Sequence, residues 1–174
     1  MEQHESPLVK KLIAELCTMG VEARLTEHTQ PQEMKLGRAI DITGSPIRWI
    51  NIRFEISSDP TDTVEYGIPD SRHIPPIEVH SKWIRTFPVF GRIIDVYWEG
   101  NDRGTGIVQL FSSDDTIKTS IKGACEVIIR GCPEQSCWLI VQKQDTWNSP
   151  LLERHQWRCY EKIAEILLAT PITT

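Results

Sequence analysis

The chain has 174 residues, 40% of them hydrophobic and 25% charged, the proportions of an ordinary globular domain, which exclude a disordered tail, a collagen and a coiled coil. Twenty-four acidic residues against 19 basic ones leave a net charge of -5, which argues against a large nucleic-acid footprint, because phosphate contacts need a cationic face. The length suits one hydrophobic core, so a single domain over residues 1–174 is expected.

The amino terminus, Met1 to Pro7, lacks the basic start and apolar run of a secretory signal, and no apolar stretch reaches the ~20 residues that span a bilayer. Five cysteines (Cys17, Cys125, Cys132, Cys137 and Cys159) are an odd, scattered set in a chain large enough to fold by burial, so a disulfide framework is not expected. These features point to a soluble cytoplasmic protein with reduced thiols, no membrane contact and no cofactor.

Ser6 and Pro7 form a helix start, and Val9, Leu12, Ile13, Leu16 and Cys17 recur at helical spacing until Gly20. From Val21 the period falls to two, predicting a strand with Val21, Ala23 and Leu25 on one face, followed by a polar loop from Glu27 to Lys35. Ile40 and Ile42, a Gly44-Ser45-Pro46 turn, then Ile50, Ile52, Phe54 and Ile56 read as a hairpin with one wet face. A solvated segment from Ser57 to Thr63 leads to a short strand around Val64 and Tyr66. Residues 69–91, with four of the eleven prolines, read as an irregular loop.

Ile94, Val96 and Trp98 open a second hairpin, whose Gly100–Gly104 turn is expected to return as a strand over 105–111. Asp114 caps a short helix carrying Ile117 and Ile121, which Gly123 ends. A third hairpin pairs Cys125–Ile129 with Trp138–Val141 across Gly131, Cys132 and Pro133. Ser149 and Pro150 start a last helix that buries Leu152, Cys159, Ile163, Ile166 and Leu167 and stops before Pro171. The similarity between Gly37–Ile42 and Gly91–Val96, each placed at a hairpin start, raises the question of duplication. The fold class that results is α+β: a mainly antiparallel sheet of about seven strands built from successive hairpins, with amphipathic helices from both chain ends packed on it.

No set of residues identifies the function, or whether the chain is an enzyme. The richest region is 69–91, where Arg72, His73, Glu78, His80, Lys82, Trp83 and Arg85 fall within fourteen positions. An extended backbone from Ile77 to Lys82 would put Glu78, His80 and Lys82 on one side, able to bind an anion or help hold a metal. The competing structural account is a strand with Ile77 and Val79 inward and its other face wet. The expectation is a non-catalytic binding or adaptor domain contacting a protein or a small molecule through this loop and a sheet edge. A metal-dependent phosphodiester hydrolase using Asp41, Glu55, Glu78 and His80 is the alternative, since such cleavage needs carboxylates around Mg²⁺ and a base. A homodimer is a further arrangement, through a strand edge or through Trp49, Trp83 and Trp147, which fall at turns or loops.

Two thiol questions remain. Cys132, Cys137, His155 and Cys159 have the residue types of a tetrahedral zinc site, against which Cys159 shares the stripe of Leu152 and Ile163 and reads as a packed thiol. Cys132, in its turn, is the most exposed candidate nucleophile, but Pro133, Glu134 and Gln135 give it no positive neighbour.

Overall fold

The computed structural model describes residues 7–26, 39–53, 62–87, 91–123, 125–144 and 150–172. Ser6, the 27–35 loop, Gly37, Arg38, Phe54, Glu55, Ile56, most of the 57–63 segment, Trp147 and Ser149 lie outside them, so the expectations placed there are not addressed. The described residues form α1 (Pro7–Thr18), β1 (Glu22–Leu25), β2 (Ile40–Thr43), β3 (Trp49–Arg53), β4 (Asp62–Pro69), β5 (Glu78–Arg85), β6 (Ile93–Gly100), α2 (Thr105–Ser113), α3 (Asp115–Lys122), β7 (Val127–Cys132), β8 (Cys137–Gln144) and α4 (Arg154–Ala169). The fold is α+β. One antiparallel sheet of eight strands runs in the order β1-β2-β3-β4-β8-β7-β5-β6. Among the described residues no helix is long and apolar enough to cross a membrane.

The helices cover one face of this sheet. Leu12 and Leu16 of α1, Phe111 of α2, Ile117 and Ile121 of α3, and Trp157, Tyr160 and Ile163 of α4 share one buried cluster with Ile50, Val64, Tyr66, Val79, Ile129, Trp138 and Ile140 of the sheet. Each fully buried side chain of this size contributes roughly 1.5–3 kcal/mol, so α4 is held mainly by its apolar stripe. A polar bridge adds direction: Tyr66 and Tyr160 both donate to Oε1 of Gln142, at 3.1 and 3.0 Å. Glu15 of α1 accepts the amides of Leu151 and Leu152 at 3.2 and 3.1 Å, tying the two terminal helices together.

Several expectations need correction. Residues 105–111 belong to helix α2, because Ile107 and Phe111, four apart, face the core together, and β-branched Ile107 and Val108 disguise that period. The sheet therefore gains its eighth strand elsewhere, from β5, inside the stretch expected to be an irregular loop. Val79 and Ser81 are buried there while Glu78, His80 and Lys82 face outward, the alternation of a strand. The third hairpin turns over Pro133–Gln135, and Cys132 ends β7. The last helix begins at Arg154, later than Ser149-Pro150 suggested, through a capping box in which Gln156 Oε1 accepts the Glu153 amide at 2.8 Å. Cys17 is exposed on α1, and Leu25 is 37% exposed on β1. The β2 stretch does open a hairpin, with β3, whereas β6 closes one begun by β5, so the two similar segments occupy unlike positions.

The connection from β4 to β5 explains the irregular part of 69–91. Those strands are separated in the sheet by β8 and β7, so residues 70–77 must cross the end of the β7/β8 hairpin. Gly131 makes this passage possible: a β-carbon there would sit 2.6 Å from the Pro75 carbonyl oxygen. Asp70, at 5% exposure, anchors the crossing, accepting the Trp138 indole N–H at 3.0 Å and the Arg72 amide at 3.0 Å. Arg72 returns two side-chain donors to the same carboxylate and also donates to the carbonyls of Leu167 and Thr170 at the end of α4, at 2.8 and 2.7 Å.

Burial pushes the Asp70 carboxyl up, but the Arg72 and Trp138 hydrogen bonds and the Arg72 charge outweigh it and leave it below the usual range. Asp114 is likewise held low by Lys162, at 2.7 Å, and by the Ile117 and Thr116 amides that it caps. Because the folded values lie below the unfolded ones, the stabilisation is complete above the unfolded carboxylate value of about 4 and is lost as pH falls through the lower folded values. Thermal unfolding followed by circular dichroism should therefore give a melting temperature that declines below about pH 4. Asp70→Ala should cost about 3 kcal/mol at neutral pH, near the low end for breaking a buried pair because Arg72 is partly exposed. It should also flatten part of that acid decline.

Candidate functional site

Away from the helices, the sheet presents an open face whose residues line up in rows set by the register. One row runs Arg24, Asp41, Trp49, Gly67, Leu139, Arg130, Glu78 across seven strands. The next runs Asn51, Glu65, Val141, Ile128, His80, Glu99. The centre of the face is apolar: Trp49, Cys132, Cys137, Leu139 and Val141 form a second buried cluster, with Ile128 packed against it. Gly67 is required here, since any β-carbon at that position would overlap the Trp49 ring.

Charges flank this apolar centre on both sides. On the β3/β4 side, Glu65 accepts from Asn51 at 3.1 Å and from Arg53 at 2.8 Å. On the β5/β6 side, Glu78 bridges His80 Nε2, at 2.7 Å, and Arg130 Nε, at 2.9 Å, while Lys82 Nζ lies 3.8 Å from Glu99. Burial raises the Glu78 carboxyl, but hydrogen bonds from Arg130 and His80, together with their charges, bring it below the ordinary value. Glu78 is thus held ionised and occupied, a poor arrangement for a general base, which needs a free lone pair and a value near the working pH.

The seven residues singled out in the sequence divide into three environments. Arg72 is committed to Asp70 and the end of α4, with His73 exposed beside it in the crossing segment. Glu78, His80 and Lys82 share the open face. Trp83 lies against α3, its indole donating to the Ile121 carbonyl at 3.2 Å, and Arg85 stacks on it, the guanidinium carbon 4.9 Å from the Trp83 ring centroid, a cation–π distance. Sequence spacing missed Arg130, which is distant in the chain and becomes a neighbour of Glu78 only through β7/β5 pairing.

The carboxylates of the hydrolase alternative are not brought together. Asp41 on β2 and Glu78 on β5 are five strand spacings apart, about 24 Å. Glu55 lies outside the described residues. Among the described residues no three of the His, Cys, Asp and Glu side chains are grouped to hold a metal ion. The four residues considered for zinc are dispersed as well. Cys132 and Cys137 are on the open face, Cys159 is buried under α3, and His155 is exposed with Nδ1 3.1 Å from Glu153. Burial pushes the Cys159 thiol up to about 12, as suits a packed, inert side chain. Cys132, expected to be exposed, is 4% exposed.

A cleft between α3 and α4 carries Arg154, His155, Arg158 and Lys162. Three of these four side chains are already engaged, Arg154 with the Thr18 and Met19 carbonyls, His155 with Glu153 and Lys162 with Asp114.

The largest exposed apolar side chains gather elsewhere. Of six such residues among those described, Ile84, Phe87, Ile94 and Tyr97 belong to the β5/β6 hairpin, and Phe87 is 71% exposed. Tyr97 faces Lys82 and Ile84 faces Asp95, which makes Tyr97 and Ile84 diagonal neighbours on the open face. A sequence signal existed for Tyr97, which alternates out of phase with Val96 and Trp98. The outer edge of β6 is blunted: Lys122 Nζ donates to the Ile94 carbonyl at 2.7 Å, and the Val96 amide donates to Asp95 Oδ1 at 2.8 Å.

In a pH titration followed by carboxyl-carbon NMR, the Glu78 midpoint should fall below that of an unpaired glutamate. Arg130→Met should move it upward. An unchanged midpoint would mean that the pair does not persist in solution. Comparison of the chain with protein-family models, with curated proteins and with solved structures gives no match.

Proposed function

We propose that this chain is a non-catalytic binding domain that docks a protein partner through the β5/β6 hairpin, with Lys82, Glu78 and His80 at the rim of the contact. One observation carries the reading: four of the six large exposed apolar side chains among the described residues sit on that hairpin. Clustered exposed apolar area on an otherwise well-buried domain is characteristic of interaction surfaces. The engaged edge groups at Ile94 and Val96 favour contact by side chains over addition of a strand. A protein suits the surface better than a small molecule, because the hairpin side chains project outward and do not line a concave pocket.

The hydrolase reading loses support from the separation of Asp41 and Glu78 and from the engagement of Glu78 with two donors. Trp83 is no probe of this surface, since its indole is bonded to α3 and its removal would disturb the fold.

Phe87→Glu combined with Tyr97→Glu tests the proposal. Partners captured by the immobilised wild-type domain should be lost with the double variant, at an unchanged melting temperature. Leu110→Glu, at another exposed apolar position, should leave capture intact. Full retention by the hairpin variant would overturn this function.

A further inference from the structure

A second feature of the open face stands independently of the docking surface. Cys132 and Cys137 are directly opposite one another in the β7/β8 register, at the closing pair of the hairpin. Paired residues in antiparallel strands have α-carbons about 4.5–5.5 Å apart, inside the range of about 4.4–6.8 Å that a disulfide bridges without moving the backbone. Both side chains point to the same face and both belong to the Trp49 cluster, with the Cys137 thiol donating to Gln135 Oε1 in the turn at 3.8 Å. Cys159 is packed in the helix-side core, where a buried cysteine behaves as a small hydrophobe. This pair differs because a reacting partner is already in place.

We propose that Cys132 and Cys137 are a redox site that closes reversibly to a cross-strand disulfide by exchange with a low-molecular-weight disulfide. The thiolate of Cys132 attacks one sulfur of RS–SR, forming Cys132–S–SR and releasing one RS⁻. Cys137 gives up its proton and attacks the Cys132 sulfur, forming the protein disulfide and expelling the second RS⁻. Two electrons pass from the cysteine pair to the small disulfide, and the two cysteine protons end on two RSH molecules. Attack by a thiolate through a mixed disulfide is the general course of such exchange.

The surroundings favour Cys132 as the attacking group. Interaction with the Cys137 side chain holds its thiol below the ordinary value against burial, and the Arg130 charge helps while Glu134 and Glu65 oppose. Access is through the exposed turn Pro133–Ser136, which leaves the pair at the margin of the sheet. The other described cysteines lack this arrangement: Cys17 is exposed on α1, and Cys125 lies 3.5 Å from the Tyr160 hydroxyl, on the helix side of the sheet.

The test equilibrates the full chain in mixtures of reduced and oxidised glutathione, quenches with acid, unfolds, alkylates with iodoacetamide and maps the peptides by mass spectrometry. Alkylation of Cys132 and Cys137 should disappear in parallel, with a linked peptide lighter by two hydrogens, while Cys159 stays fully alkylated. Cys137→Ser should accumulate glutathione on Cys132. The wild-type result decides the matter even if that variant folds poorly. Cys132 and Cys137 remaining as alkylatable as Cys159 at the oxidising limit would overturn the proposal, as would an oxidised product joined only between Cys17 residues of two chains.

Discussion

The buried carboxylate of Asp70 is the interaction on which the topology turns. At that point the chain leaves β4 and crosses two strands before it can begin β5, and a crossing segment has no ladder of its own to satisfy its polar groups. Asp70 joins three things that are otherwise unconnected in sequence: the crossing segment through the Arg72 amide, the sheet through Trp138, and the end of α4 through the arginine it orients. Arg72 supplies donors to carbonyls that the helix leaves unpaired, so one ion pair completes a helix terminus and fixes a loop at once. With the crossing held, β5 meets β7 in register, and Glu78 arrives opposite Arg130.

The same geometry sets the chemistry of the open face. Alternation on each strand sends one set of side chains into the helix layer and leaves the other set to pair laterally. Across the sheet, the lateral neighbours are Arg53 with Glu65, Arg130 and His80 with Glu78, and Lys82 with Glu99. These charges neutralise one another within the face, so they offer little unspent potential to an ionic ligand. Beyond His80 the β5/β7 ladder ends, and side chains replace it: the Ser81 hydroxyl bonds both polar backbone groups of Val127, and Glu126 accepts the Trp83 amide. The lower half of β5 is therefore coupled to β6 more than to the rest of the sheet, and this hairpin carries four of the six large exposed apolar side chains among the described residues.

Much of the architecture was legible from periodicity, because the signals were local. Asp114 bonding the amides of Thr116 and Ile117, Gly20 at φ +83 and the alternation of β2 each involve residues a few positions apart, whereas β3, read as half wet, is buried on both faces from Trp49 to Ile52. The errors came where local signals compete. Ile107 and Val108 favour strands by type, yet Ile107 and Phe111 pack as a helical pair once α2 lies on β6. Prolines at 75 and 76 suggested that all of 69–91 was irregular, although they only mark the crossing before a regular strand. Of the candidate site, the shared face of Glu78, His80 and Lys82 could be read from spacing two. Arg130, Cys132 opposite Cys137 and the isolation of Asp41 could not, because strand order and register decide them.

The two ends of β5 separate the two roles proposed for this sheet. Glu78 starts the strand beside Arg130, two residues from Cys132, whereas Arg85 ends it at the apolar hairpin tip. Seven residues of strand span about 23 Å, more than two Debye lengths at physiological salt. A change of charge at the thiol pair is therefore screened before it reaches Phe87 or Tyr97. Coupling between the two regions would need movement of the strand itself, and the buried Val79 and Ser81 contacts resist that by holding β5 to the core along its upper half. The proposed oxidation at Cys132 and the proposed docking at the hairpin would accordingly act as separate properties, joined by a shared scaffold and not by electrostatics.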